Sequence, residues 1–429
     1  MSDEKLCPEL FDYIIDFLHD DETALRSCAL VCRSWVPTSR IHLFHQLSLT
    51  GCPSKASLGW VPDTACRQIY GTLVSSPHLA GYINKVSVSE TDLYQPANYR
   101  WVSGEIMFPP LLKKLNALKE LEFNFPVPGN ADPKTVWSTM VFKDISDAMK
   151  TLTLRSFTLR QFAFTNLAEF IKVLESWKHL ETLQLDSVDV YTPNHLSASA
   201  LDQALDLQIL TPTQTHQHEQ KASFRHLLLK SNNSSLFIPI LLHARSPLDL
   251  SGLTSLMINI TSDNYGNVLD LLKYTPNVEI LELEIETIFD YEAHLENRGT
   301  IDLHSMPSLK KLSLQISLLL GRIEPMSWML PFFSTVAPGN VIADLLIKCV
   351  VDKPPPTVTV QALDNSLAGW RAFDDLLSQQ TFSTLKRFRL DFALDNAFGD
   401  QSIDEILNEY IKQLPGLNGK GLLEVCKVR

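Results

Sequence analysis

One short apolar pattern recurs twelve times along this chain of 429 residues, and it limits what the chain can fold into. The pattern is L-x-x-L-x-L, with Phe, Ile, Val or Cys admitted at the apolar places. It stands at Phe44-Leu47-Leu49, Ile83-Val86-Val88, Leu118-Leu121-Phe123 and Leu154-Phe157-Leu159. It returns at Leu180-Leu183-Leu185, Phe224-Leu227-Leu229, Leu253-Leu256-Ile258 and Val278-Leu281-Leu283. The last copies are Leu309-Leu312-Leu314, Ile342-Leu345-Ile347, Leu385-Phe388-Leu390 and Leu423-Cys426-Val428. Each ends in period-two alternation, the mark of a short half-buried strand. Helical segments lie between the copies: Thr64 to Val74, Asn166 to Trp177, Asn267 to Tyr274, Gly369 to Leu377 and Ser402 to Leu414. The clearest has Leu167, Phe170, Ile171 and Leu174 on one face, with Asn166 placed to cap it. Pro77, Pro276, Pro307 and Pro415 act as stop signals before the next strand. A strand–turn–helix unit cannot bury its own apolar face, so successive units stack. The expected fold class is α/β.

This arrangement resembles a leucine-rich-repeat solenoid, in which parallel strands line a concave face and helices lie outside. Leu supplies 68 of the 429 residues, in keeping with it. The copies are 25 to 44 residues apart, whereas regular repeats hold about 20 to 29. The Asn that usually follows the strand stands in place once, at Asn232. The resemblance is therefore to irregular repeats spanning residues 51–429, with insertions near 126–138, 188–223 and 352–362. A non-repeating α/β domain is the other reading, and it requires strands that exchange neighbours.

The first fifty residues follow a different plan. Pro8 suits a first helical turn, where its missing N–H costs nothing. Leu10, Ile14, Phe17 and Leu18 then fall on one helix face, and Phe11, Ile15 and Leu18 form a second apolar row. Asp20-Asp21-Glu22 places carboxylates at the start of a second helix, which carries Leu25, Cys28, Leu30, Val31 and Cys32 ahead of Trp35. So small a helical segment cannot bury two apolar rows by itself. Either the rest of the chain or another protein must cover one of them.

Leu6-Cys7-Pro8-Glu9-Leu10, the Ile14-to-Leu18 helix and Leu30-Val31-Cys32-Arg33-Ser34-Trp35 together resemble a three-helix F-box over residues 1–50. The run LRSCALVCRSW is especially similar to F-box proteins of mushroom-forming fungi. Cys7 stands where that pattern usually has its proline, one place before Pro8. The resemblance implies a substrate-receptor subunit of a cullin–RING (SCF-type) ubiquitin ligase. Its F-box would bind the adaptor subunit, and through it a cullin, while the repeats would bind the protein to be ubiquitinated. Carried over by position, the adaptor-binding set is Leu6, Pro8, Leu10, Ile14, Leu18, Leu25, Leu30, Val31, Cys32 and Trp35. The alternative is a stand-alone repeat scaffold whose N-terminal helices only cap the solenoid.

Nothing in the sequence carries a catalytic constellation. There is no GxSxG, GxxxxGK[ST] or HExxH. His216 and His218 lie on one short loop, too few ligands for a closed metal site. Cys28 and Cys32 fit helix packing better than a metal edge. The expectation is a non-enzyme with no metal and no cofactor. With 37 Lys+Arg against 49 Asp+Glu and no basic run, nucleic acid is a poor partner. Seven scattered cysteines, no signal-like start and no long apolar stretch point to a cytoplasmic or nuclear protein off the membrane. Recognition then falls to the strand residues that alternate with the buried ones. Glu120, Glu122, Glu282, Glu284, Arg387 and Arg389 are the substrate-binding candidates, alongside Asn124, Ser156, Thr158, Arg160, Lys348 and Lys427.

Overall fold

In the computed structural model each of the twelve copies ends on a β-strand. The structure describes residues 7–50, 65–89, 102, 105–125, 139–164, 166–175, 177, 179–190, 222–230, 234–243, 246–285, 299–318, 326–351, 360–394 and 407–428. They fall into two units, Met1–Ala222 and Ser223–Arg429.

The first unit opens with three helices, α1 (Pro8–Asp16), α2 (Glu22–Val31) and α3 (Val36–Leu43). Strands and helices then alternate: β1 (Gln46–Thr50), α4 (Ala65–Ser75), β2 (Lys85–Ser89), α5 (Phe108–Lys114), β3 (Glu120–Asn124), α6 (Thr139–Met149), β4 (Ser156–Arg160), α7 (Leu167–Glu175) and β5 (Thr182–Asp186). The five strands pair in chain order and all in parallel. Register stacks like on like, so Leu49, Val88, Phe123, Leu159 and Leu185 form one buried row. Phe108 of α5 meets Phe123 edge-on at 6.0 Å, which sets the helix against that row.

The second unit repeats the plan with β6 (His226–Lys230), α8 (Ser234–Leu242), β7 (Ser255–Ile260), α9 (Tyr265–Lys273), β8 (Ile280–Ile285), β9 (Lys311–Leu318), α10 (Met326–Ser334), β10 (Asp344–Val351), α11 (Val360–Leu377), β11 (Arg387–Leu394), α12 (Pro415–Gly419) and β12 (Leu423–Val428). Its seven strands are again parallel and in chain order. Among the described residues no strand of either unit exchanges neighbours, which the non-repeating arrangement would require.

A backbone device links most successive repeats within each unit. The carbonyl of the residue immediately before one strand accepts two successive N–H groups entering the following strand. His45 O takes Asn84 and Lys85, Asn84 O takes Lys119 and Glu120, and Arg225 O takes Thr254 and Ser255. The same double bond recurs at Lys119, Arg155, Thr254, Glu279, Lys310 and Ala343. Backbone donors beside a buried apolar residue need such partners, and the stacked unit supplies them.

Several expectations change. The helix expected from Gly369 begins at Val360, because Gly369 is not a boundary but a close approach. A Cβ there would lie 2.5 Å from the Met326 side chain of α10. The segment 188–223 is not wholly an insertion, since Asp189–Val190 pairs in parallel with Ala163–Phe164. The insertion expected to 362 ends earlier, because Val360 already belongs to α11. The rest of these segments, 126–138, 191–221 and 352–359, lies outside the described residues, as do His216, His218 and Asn232.

The last strand is read one residue out of phase by the sequence pattern. Its register pairs Leu423 with Phe388, Val425 with Leu390 and Lys427 with Phe392. Lys427 therefore shares the face of the buried rows, not the opposite face where it was expected. Cys426 takes that opposite face, beside Asp391.

Candidate docking surface

The three N-terminal helices form because their ends are well specified. Pro8 starts α1, the Asp21 carboxylate accepts the Ala24 N–H at 2.9 Å to cap α2, and Pro37 lies in the first turn of α3. Helices α1 and α2 both pack on α3. The Thr38 hydroxyl donates to the Asp12 carboxylate, and His42 Nε2 meets Asp16 Oδ1 at 2.7 Å. Phe11 and Trp35 rings stand 5.2 Å apart. Ile15, Leu25 and Ser39 are fully buried.

The two apolar rows of α1 thus part company. Phe11, Ile15 and Leu18 are buried or half-buried, while Leu10, Ile14 and Phe17 remain 47%, 50% and 68% exposed. Tyr13 and Phe17 touch edge-on at 4.8 Å on the outer side. At the end of α2, Leu30 is 87% exposed, and Val31 and Cys32 are exposed as well. Of the twelve large apolar side chains exposed among the described residues, eight lie between Leu10 and Phe44. The other four, Val74, Ile106, Tyr274 and Val341, are spread along the chain. A concentration of this kind marks an interaction surface.

Placed on this geometry, the sequence-derived set separates. Leu10, Ile14, Leu30, Val31 and Cys32 share exposure, and Leu18 is half-buried. Leu25 is a packing residue, only 1% exposed, and Trp35 packs against Phe11. Pro8 begins the helix, and Leu6 lies outside the described residues. Sequence reasoning passed over Phe17 as a contact although it had counted it on the outer row. Ile41, at the end of α3, was missed for want of any periodicity there, and Phe44 was read only as the first residue of the first repeat.

No protein-family model matches this chain, and no curated protein matches it.

The six charged substrate-binding candidates are already engaged with nearby charges. Lys85 Nζ lies 4.0 Å from Glu120 and 3.8 Å from Glu122, and Arg160 reaches Glu122 at 3.1 Å. Lys311 approaches Glu282 at 3.7 Å, and Lys230 reaches Glu284 at 3.2 Å. Arg387 bonds Asp344 at 3.1 Å and Arg389 bonds Asp391 at 2.6 Å. Those with both members exposed contribute at most about 1 kcal/mol each, whereas Asp391 is itself buried. Their effect is to leave the strand faces locally neutral, so a partner meets balanced charge rather than a field of one sign. Thr158 is buried, although it was expected to be presented.

Among the described residues no group of three His, Cys, Asp or Glu is placed to hold a metal ion, and no helix is long and apolar enough to cross a membrane. The described cysteines are free thiols in contrasting settings. Burial and the Glu105 carboxylate push the Cys66 thiol up to about 12. Burial, with Asp391 nearby, also raises Cys349. The hydrogen bond with the Ser34 hydroxyl holds Cys32 below its ordinary value. Because the thiolate is the reactive form, a maleimide at pH 8 is expected to label Cys32 ahead of Cys66 and Cys349. Peptide mass mapping over time checks this, and early labelling at Cys66 would contradict it.

Proposed function

We propose that this chain is a non-catalytic substrate-receptor subunit of a cullin–RING ubiquitin ligase. In this reading α1–α3 are an F-box that docks on the adaptor subunit, and the stacked strand–helix repeats, of leucine-rich type, select the protein to be ubiquitinated. The observation that supports it most is the outward apolar face of α1 together with Leu30 and Val31. Of these, Leu10, Ile14, Leu30 and Val31 are residues that the F-box resemblance assigns to the adaptor, and all four are exposed. Catalysis in such an assembly is positional, since a bound target is held at high effective concentration near the ubiquitin-charged enzyme.

The test is co-expression of the full chain with a fungal adaptor subunit, followed by size-exclusion chromatography. A one-to-one complex is expected. A control lacking the helices should begin at Gln46, because a cut at residue 50 removes β1 from the sheet. In the complex Cys32 is expected to lose its rapid maleimide labelling. A folded, soluble chain that elutes apart from the adaptor would leave the helices as a cap on a stand-alone scaffold.

A further inference from the structure

The face of the second unit's sheet that turns away from the helices is not uniformly polar. Phe373 of α11 packs on Phe388 at 6.0 Å and so marks the covered side. On the other side Met257 of β7 stands in register with Leu228 of β6. Ile280 lies one strand further on, two residues before Glu282, the register partner of Met257 on β8. All three are half-buried, so they form one apolar cluster with part of its surface open. The first unit has no such cluster on its described strands. Its corresponding positions, from Gln46, Ser48 and Thr50 on β1 to Thr182, Gln184 and Asp186 on β5, are all polar.

The charges beside the cluster are balanced. Lys311 approaches Glu282 at 3.7 Å, Lys230 reaches Glu284 at 3.2 Å, and the Gln315 amide donates to Glu284 at 2.8 Å. Lys348 of β10 stands outside these pairs. It is half-buried on the same face, and no hydrogen bond or ion pair engages its ammonium among the described residues. Its register neighbours are Gln315 and Asp391, and the Asp391 carboxylate is bonded by Arg389 at 2.6 Å. A half-buried ammonium in this setting gains from an incoming carboxylate, since charge-assisted hydrogen bonds are the strong ones. Three strand spacings of about 4.8 Å and an offset of two residues put Met257 and Lys348 roughly 16 Å apart, a span that an extended chain covers in about five residues.

We infer that this face holds an extended segment of a partner protein, with an aliphatic side chain on the Leu228–Met257–Ile280 cluster and an Asp or Glu about five residues away on Lys348. The apolar anchor supplies most of the affinity, and the ion pair fixes the position of the segment across the strands. The balanced pairs around the anchor favour an uncharged side chain there. The inference rests on the ligase reading only in calling this partner the protein to be ubiquitinated. Lys348 was among the candidates from sequence, whereas the three apolar residues were not.

The experiment selects random 12-residue peptides displayed on phage against the full chain. Peptides that bind a Leu228→Ser/Met257→Ser chain equally well are discarded, which removes those held by α1–α3. Serine is tolerated at such positions, as Ser48 and Ser87 of the first unit illustrate. The surviving peptides are expected to share an aliphatic residue four to six positions from an Asp or Glu. Synthetic copies should bind Lys348→Glu at least tenfold more weakly and Lys348→Arg as wild type, with circular dichroism confirming that each variant is folded. No surviving peptide, survivors without the spaced pair, or equal binding to Lys348→Glu would each overturn the inference. Adaptor binding is read on the same variants. If they all bind the adaptor, such a failure counts against this face alone, whereas selective peptide binding by a chain that ignores the adaptor would support this face and count against the ligase reading.

Discussion

Replacing Leu10 and Ile14 together by Asp is expected to abolish adaptor binding while leaving the melting behaviour of the chain nearly unchanged. Both side chains are about half exposed on the outer face of α1. Covering the remainder of each contributes roughly 1–2 kcal/mol, and a carboxylate introduced there must in addition be desolvated without a partner. Together the two changes cost at least about 4 kcal/mol, or close to a thousandfold in affinity. Stability is spared because the inward row of Phe11, Ile15 and Leu18 is untouched, as are the Asp12–Thr38 and Asp16–His42 links to α3. Leu25→Asp is the contrasting case. That residue is buried, so binding should fail through unfolding of the helices, visible as lost helical signal. Titration calorimetry against the adaptor, with circular dichroism on each variant, separates the two. Full binding by a folded Leu10→Asp/Ile14→Asp protein would remove the outer face of α1 from the docking surface and with it the main support for the ligase reading.

The repeats were legible because their signal is local and redundant. Leu121 and Phe123, or Leu281 and Leu283, alternate with polar residues within five positions, and the same spacing recurs down the chain. The N-terminal helices were legible for a related reason. Two apolar rows on one helix cannot both face a small core, so one had to face outward, and the structure shows it is the row of Leu10, Ile14 and Phe17. What escaped depends on contacts between segments far apart in sequence. Gly369 was expected to begin its helix, yet α11 already runs from Val360, and the glycine is where Met326 comes close enough to exclude a Cβ. Helices α8 and α10 contain Pro239 and Pro331 and lack a polar face, so neither propensity nor periodicity announced them. Aromatic packing holds α10 in place all the same, with Phe333 5.0 Å from Phe373 of α11. The phase of β12 was misread because only its register with Phe388, Leu390 and Phe392 shows that the face shared by Leu423, Val425 and Lys427 is the buried one. Pairing of Glu122 with Arg160 and of Glu284 with Lys230, charges on other strands, was equally invisible, since one strand does not reveal what stands beside it.

The same dependence on distant contacts makes Asp374 the residue whose loss should most disturb the second unit. It is 2% exposed on α11, and its carboxylate crosses to another helix. Oδ2 accepts the Gly416 N–H at 2.7 Å and Oδ1 accepts the Leu417 N–H at 2.9 Å. These are first-turn donors of α12, which Leu414 at the cap position does not satisfy with its side chain. The carboxylate therefore caps α12 from outside, and negative charge is favourable at a helix N-terminus. Asp374→Ala leaves both donors without this acceptor beside the fully buried Leu417. Hydrogen bonds to charged groups contribute about 1.5–3 kcal/mol each, so a loss of roughly 3–6 kcal/mol is expected at this end of the unit. Asp374→Asn keeps one acceptor oxygen and should lose about half as much. Gly416→Ala attacks the same joint from the other side, since its Cβ would stand 2.5 Å from Ser378 Oγ and 2.9 Å from Asp374 Oδ2. With two units in the chain, a single unfolding midpoint blends their responses. Local amide exchange is the better measure: residues 415–428 should lose protection by roughly 100-fold or more in Asp374→Ala, with β7 and β8 little changed. Unaltered exchange at α12 and β12 in that variant would show that the carboxylate does not hold this end of the fold, and that packing of Tyr410, Leu414 and Leu417 suffices.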